Sequence, residues 1–272
     1  MRVATEVETR ELLDVARRAA AAGIEVAGAW FRRRGELEVE EKAASDDLVS
    51  EADRDAERAI RRVLAAARPR DGILGEEDGM TAGGTGVDWL IDPIDGTTNF
   101  LYGRSAWAVS VAVVRTVDSR TLAGVVAEPA LGRVTEASLG GGAWRDGRRL
   151  RRAGPVDLQR ALVEVNLGRP RQRLHAGDLL RALQPRVRDV RRGGSAAAAL
   201  VEVADGRVDA YWGPGLQPWD GAAGSLIVSE AGGCVGGLER ATGGDWPAGG
   251  DLLAAPPPLW EPLRDILRSV YR

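Results

Sequence analysis

Apolar residues recur at helical spacing in three stretches of the chain. Residues 8–31, 53–67 and 259–271 each place their apolar side chains on one face, which predicts amphipathic helices. The second stretch ends before Pro69, a residue that cannot continue a helix. A short unbroken apolar run at residues 87–91 predicts a buried strand instead. The chain therefore combines helices with strands.

Alternating apolar residues predict further strands. Residues 107–113 alternate as a strand with one buried face. A meander follows at residues 121–127, 134–137 and 142–145. Beyond a composition change near residues 151–158, predicted strands (162–165, 187–190 and 208–211) alternate with predicted helices (175–183, 195–205 and 222–231). This alternation favours α/β layers, and we divide the chain into halves 1–150 and 151–272 of one compact unit.

Composition narrows the class of protein. Lys and Arg total 37 against 40 for Asp and Glu, a net charge of −3, which argues against a dedicated nucleic-acid binder. The single cysteine cannot form an internal disulfide, and no apolar run reaches the ~18 residues of a membrane span. The charged N-terminus lacks the apolar core of a secretory signal. We expect a cytoplasmic protein with neither a membrane nor a nucleic acid as its partner.

The string after the 87–91 strand carries the most chemical information. Its two carboxylates, Asp92 and Asp95, flank Pro93, and Gly96 then allows a sharp turn close to a ligand. Thr97 and its neighbours are capping types, so free N–H groups are expected to face the same point. Acids beside N–H donors suit a site for metal cations and a phosphate. Taken alone, however, an Asp-Gly pair after a strand is ordinarily a structural turn.

Three other acids lie at the ends of predicted elements. Each has an ordinary explanation: Asp53 as helix first-turn charge, Glu76 as part of a solvated acidic loop, and Asp220 as a helix N-cap. If all of them converge with Asp92 and Asp95, they cannot all stay ionised without cations. One His and one Cys exclude a closed zinc site of those ligands, so oxygen ligands indicate Mg²⁺ first, then Mn²⁺ or Ca²⁺.

Four motifs together carry a resemblance to a known family. The chain resembles the inositol monophosphatase family, Mg²⁺-dependent and lithium-sensitive phosphatases within the larger fructose-1,6-bisphosphatase group. The motifs, in family order, are Asp47-Leu48-Val49-Ser50-Glu51-Ala52-Asp53, Gly75-Glu76-Glu77-Asp78, Trp89-Leu90-Ile91-Asp92-Pro93-Ile94-Asp95-Gly96-Thr97-Thr98-Asn99-Phe100 and Trp219-Asp220-Gly221-Ala222-Ala223-Gly224. Arg192-Gly193-Gly194-Ser195-Ala196-Ala197 resembles the stretch that lines the family's substrate pocket. The resemblance extends from about Leu12 to Leu267.

The resemblance implies a fold and a set of metal ligands. The fold would be a five-layer αβαβα sandwich, and the molecule a homodimer. Glu76, Asp92 and the carbonyl of Ile94 would hold one Mg²⁺. Asp92, Asp95 and Asp220 would hold a second. Glu76 would help to hold a weaker third through waters, with Mn²⁺ as a substitute metal.

The resemblance also implies catalytic and substrate-binding roles. Asp53, Glu76 and Thr97 would be catalytic, and Thr97 paired with Asp53 would orient the attacking water. The N–H groups of Gly96 and Thr97 would bind phosphate oxygens, and Lys42 would contact metal or phosphate from a mobile loop. The remaining substrate-binding residues would be Asp95, Gly194, Ser195, Ala196 and Asp220.

The chain departs from the family pattern at Gly213, where the family often has a glutamate that binds sugar-ring hydroxyls. Loss of that acceptor should loosen specificity. A metal-dependent phosphomonoesterase, with metal-activated water attacking phosphorus, is therefore a firmer prediction than its first candidate substrate, inositol monophosphate. Fructose 1,6-bisphosphate, 3′-phosphoadenosine 5′-phosphate, histidinol phosphate and NADP are alternatives. A non-enzymatic alternative is a protein or RNA partner in transcription, for which the basic residues of 169–173 are the one candidate surface.

Overall fold

The computed structural model describes residues 6–37, 39–41, 48–151, 157–168, 175–239 and 250–271. Its α-helices are α1 (Glu6–Arg32), α2 (Glu51–Ala67), α3 (Thr97–Leu101), α4 (Ala176–Leu183), α5 (Ala196–Asp205), α6 (Pro218–Glu230) and α7 (Pro257–Val270). None of the helices in these ranges has the length and apolarity to cross a membrane.

The strands form three sheets in the described ranges. They are β1 (Val39–Glu41), β2 (Leu48–Ser50), β3 (Gly72–Gly75), β4 (Gly79–Thr81), β5 (Val87–Asp95), β6 (Ala108–Arg115), β7 (Arg120–Glu128), β8 (Arg133–Ser138), β9 (Gly142–Arg145), β10 (Arg148–Arg149), β11 (Leu162–Val165), β12 (Asp189–Arg191), β13 (Ala210–Gly213), β14 (Cys234–Gly236) and β15 (Leu252–Ala255). The large sheet has the order β10-β9-β8-β7-β6-β5-β3-β4, and the second has β12-β11-β13-β15-β14. Strands β1 and β2 pair separately.

The elements stack in five layers. Helices α1 and α2 cover one face of the eight-stranded sheet, and α5 and α6 cover its other face. The opposite side of α5 and α6 packs against the five-stranded sheet, whose outer face is covered by α4 and α7. This confirms the αβαβα arrangement that the family resemblance implied.

One strand prediction is wrong in a way that the layers explain. Residues 107–113 were expected to bury a single face, yet every residue of β6 except its last is buried. Both faces of the large sheet are covered by helices, so alternation gives way to a continuous apolar strand. The polar Ser110 fits there because its hydroxyl donates to the carbonyl of Trp219 at 3.0 Å.

The middle layer depends on small residues. Helix α6 is buried from Gly221 to Val228, and a side chain added at Gly124 of β7 would place its Cβ 2.8 Å from Ala223 Cα. The helix therefore lies almost in backbone contact with the large sheet. This close approach holds the start of α6, with Asp220, beside the end of β5. The proposed boundary between residues 150 and 151 stays a prediction.

Candidate active site

The end of β5 departs from regular strand geometry. Pairing with β6 shifts register between Asp92 and Asp95, and the Ile94 N–H donates to Asp92 Oδ1 at 3.0 Å. Gly96 then adopts φ +96°, a left-handed conformation that favours glycine. A Cβ there would also lie 3.1 Å from the carbonyl oxygen of Ala106. This turn of the backbone places Asp92, Asp95 and the first residues of α3 close together, in a region that we call the acidic corner.

Asp53 lies beside this corner although 44 positions separate it from Thr97. Its Oδ2 accepts hydrogen bonds from Ser50 N at 2.9 Å and Ser50 Oγ at 2.6 Å, which begins α2 with a capping box. Thr97 Oγ1 lies 3.4 Å from Asp53 Oδ1 and 3.3 Å from the carbonyl oxygen of Ile94. The structure brings together the pair that was predicted to orient water; that role stays a prediction.

Asp95 meets the start of α5. Its Oδ2 accepts from Ser195 Oγ and from the Ala197 N–H, each at 2.6 Å. Burial raises the pKa of Asp95 to about 6, although the Ser195 hydroxyl and the amides of Ala197 and Ala196 favour its ionised form. The residue keeps a partly exposed edge, but these donors enclose its carboxyl. The predicted substrate-binding segment is thereby joined directly to a predicted metal ligand.

Asp92 lies at the centre of the cluster of predicted acids. Burial raises its pKa well above its usual range, and the charges of Glu76, Asp95, Asp220 and Asp53 raise it further. All five predicted acids therefore lie within electrostatic reach of one point. Asp220 occupies the third position of α6 and not its N-cap, with Oδ2 accepting from the Gln217 N–H at 2.8 Å.

These acids have the chemistry of a hard-cation site, but within the described ranges no three of them form a ready-made metal cage. Hydrogen bonds to neighbouring backbone or hydroxyl groups hold one oxygen each of Asp92, Asp95 and Asp220. The oxygen donors and their mutual repulsion fit a metal, and the assignment of individual ligands stays a prediction.

Three functional supports were not predicted from the sequence. Glu57, fully buried on α2, accepts from the N–H groups of Glu77 and Asp78 at 2.9 and 3.0 Å, which fixes the loop that carries Glu76. Asn99 Nδ2 donates to the carbonyls of Ala106 at 2.6 Å and Gly193 at 2.7 Å.

Glu164 is the third of these supports, since it accepts from the Gly193 N–H at 3.0 Å. The sequence did contain an indication for Glu57: it lies four residues before Arg61 on a predicted helix, the spacing at which opposite charges pair. No local signal existed for Asn99 or Glu164, because their partners lie 94 and 29 residues away.

The remaining predicted residues divide into two groups. Gly194, at φ +97°, Ser195 and Ala196 form the turn into α5 beside Asp95. Lys42 and residues 169–173 lie outside the described residues. At Gly213 a Cβ would stand 2.5 Å from Tyr211 Oη, so the tyrosine hydroxyl occupies the space of the missing side chain.

Comparisons with known proteins find relatives that match most of this chain. A Mycobacterium tuberculosis protein named inositol-1-monophosphatase SuhB is 45% identical over 226 residues, 79% of this chain and 76% of that protein. A Pseudomonas aeruginosa protein named Nus factor SuhB is 40% identical, covering 82% and 84% of the two chains. The crystal structure of the suppressor protein SuhB from Bartonella henselae superimposes with a TM-score of 0.87 at 33% identity, covering 94% and 98%.

The family match and the relatives place this protein among the phosphoric monoester hydrolases. The pattern of the inositol monophosphatase family matches residues 8–269, and the chain belongs to that family. Enzymes of this family are generally metal-dependent.

Proposed function

We propose that this protein is a Mg²⁺-dependent phosphomonoesterase of small phosphorylated metabolites, with inositol monophosphate as the first substrate to test. The observation that carries the proposal is the charge around Asp92, where four further carboxylates raise its pKa. Such a concentration of acids is unfavourable unless cations and an anionic ligand complete it. The family supports the reaction class, and the names of the relatives suggest the substrate.

The ligands would be Glu76, Asp92, the Ile94 carbonyl, Asp95 and Asp220, holding two or three ions. When bound, Mg²⁺ supplies the positive charge that lets these carboxylates and a phosphate occupy one site. Phosphoryl transfer requires little covalent help from the protein, so positioning and charge are its main contributions.

The chain's own groups would position the substrate and the water. The N–H groups of Gly96 and Thr97 would donate to phosphate oxygens. Thr97 Oγ1, donating to Asp53 Oδ1, would accept a hydrogen bond from the attacking water and pass its proton toward Asp53. Hydrolysis forms one bond from that water oxygen to phosphorus and breaks the ester P–O bond. The leaving alkoxide takes one proton from solvent and Asp53 returns the proton it received to solvent, so the products are an alcohol and inorganic phosphate.

The test is phosphate release in Mg²⁺ from inositol 1-phosphate, fructose 1,6-bisphosphate, 3′-phosphoadenosine 5′-phosphate, histidinol phosphate and NADP. We expect a preference for one substrate, with loss of release in EDTA and inhibition by Li⁺. D92N should lower kcat at least about 1000-fold, because the charge shared by both predicted metal positions is lost.

The matched control is D88N, the same change on the same strand. Asp88 Oδ2 accepts from Thr116 Oγ1 at 2.8 Å and lies outside the site. D88N should turn over like the unaltered protein. Turnover by D92N at the unaltered rate would refute the site, and no release from any substrate by the folded, Mg²⁺-loaded protein would refute the function.

A second candidate, a binding role in transcription, is favoured by the relative named a Nus factor. The same D92N variant separates the two functions, since a role independent of catalysis would survive the change. Cytoplasmic location and a homodimer remain predictions; sedimentation at several protein concentrations tests the latter.

A further inference from the structure

Glu164 lies within a buried strand, where a carboxyl group is unexpected. Val163 and Val165 of β11 pack in the core formed with α4 and α7, so alternation turns Glu164 toward the middle layer. The residue is 6% exposed. A buried carboxyl is unfavourable unless hydrogen bonds compensate for lost water. The proposed reaction gives Glu164 no part, so its burial calls for another explanation.

The carboxyl of Glu164 is directed at the substrate-binding segment. Its Oε1 accepts from the Gly193 N–H at 3.0 Å, while the Gly193 carbonyl accepts from Asn99 Nδ2 at 2.7 Å. Both polar groups of Gly193 are therefore held by side chains, one from β11 of the five-stranded sheet and one from helix α3. A Cβ on Gly193 would lie 2.2 Å from Glu164 Oε1, so only glycine allows this approach. The next two residues, Gly194 and Ser195, lead to the hydroxyl that binds Asp95.

Other ionisable groups surround Glu164. Glu202 faces it from α5, Asp95 from the end of β5, and Tyr211 from the paired position of β13. Burial raises the pKa of Glu164 to about 7, and the charges of Glu202 and Asp95 raise it while the Gly193 N–H lowers it. Perturbed groups of this kind concentrate at functional sites. The hydrogen bond to Gly193 is the contact that links this group to the pocket.

We propose that Glu164 is a positioning residue. Through the Gly193 N–H it holds residues 193–196 in place beside the turn at Gly96 and Thr97, and it thereby sets substrate affinity. The inference rests on the proposed phosphatase function. It assigns to β11, in the five-stranded sheet, control over a pocket whose predicted metal ligands lie mainly on the other sheet. Glu164 itself contacts neither substrate nor reacting atoms.

Two substitutions separate the hydrogen bond from the charge. E164L removes the acceptor and should raise KM about tenfold with kcat changed less than about twofold, since a hydrogen bond to a charged group is lost from the pocket wall. E164Q keeps an acceptor for the Gly193 N–H and should restore KM to within about threefold of the unaltered protein. E202Q removes a facing charge without touching Gly193, and should leave KM unchanged.

Hydrogen exchange at the Gly193–Ser195 amides provides a readout independent of turnover. E164L should exchange at least about tenfold faster there, and E164Q at nearly the unaltered rate. Equal KM and equal exchange rates in the unaltered protein, E164L and E164Q would overturn the proposal. Equal impairment of E164L and E164Q would overturn it as well. If the unaltered protein releases no phosphate, the proposed function fails, and exchange alone then decides whether Glu164 positions the segment.

Discussion

At the scale of single residues, Gly213 has the clearest consequence for substrate choice. The glutamate that the family often carries there cannot simply be restored. A Cβ at this position would meet Tyr211 Oη at 2.5 Å and Leu216 Cδ1 at 2.8 Å, and both neighbours are buried. We expect G213E to destabilise the protein by about 2 kcal/mol through overpacking, without increasing preference for inositol monophosphate.

Urea unfolding and the substrate panel measure both parts of that prediction. G35E is the control, because Gly35 is exposed and a Cβ there would meet nothing within 4 Å. It should leave the unfolding midpoint almost unchanged. An unchanged midpoint for G213E, together with a new preference for inositol monophosphate, would show that the pocket accommodates the acid.

At the scale of elements, Arg145 joins the large sheet to α5. From β9 it donates to Thr135 Oγ1 at 2.8 Å, to Asp205 Oδ2 at 2.6 Å and to the carbonyl of Val201 at 3.2 Å. Its side chain is 5% exposed. R145M would also leave the buried Glu128, 3.5 Å away, without this cation. We expect a loss of about 3 kcal/mol in urea unfolding, because buried carboxylates lose a charged partner.

Arg148 offers a matched comparison, since it bonds the other oxygen of Asp205 at 2.7 Å but its side chain is 69% exposed. R148M should cost less than about 1 kcal/mol, as expected for an exposed ion pair. Similar losses for the two variants would mean that burial does not set the strength of this network.

The elements also show what a sequence can predict. Helices α1 and α2 follow their apolar spacing to within a few residues, because one buried face is enough to specify each. The acids of the site were predicted because each lies in a motif at the end of an element. The long-range contacts around them could not be predicted, since the Asp95–Ser195 and Asn99–Gly193 contacts join segments 100 and 94 residues apart. Layer packing decides those contacts, and no local pattern encodes it.

At the scale of the whole molecule, buried carboxyl groups in and beside the site lower the free energy of unfolding at neutral pH. Burial raises the pKa of Asp95 from 3.8 to about 6 and that of Glu164 from 4.5 to about 7. A carboxyl whose pKa is raised binds its proton more tightly in the folded state. The linked stability is complete below the ordinary pKa values and is lost as pH rises through about 6 and then about 7. The metal-free protein should therefore melt at lower temperature at pH 7.5 than at pH 5, by roughly 5 °C.

A single substitution at Asp92 tests whether the buried carboxylates destabilise the folded state. D92N removes the carboxylate on which four others act, while its amide oxygen can still accept from the Ile94 N–H. In EDTA at pH 7.5 we expect D92N to melt at least ~3 °C above the unaltered protein, since buried repulsion is relieved. Millimolar Mg²⁺ should raise the Tm of the unaltered protein and of D88N by mass action, and that of D92N far less. A D92N protein that is less stable in EDTA, or that responds fully to Mg²⁺, would place the centre of the cation site elsewhere.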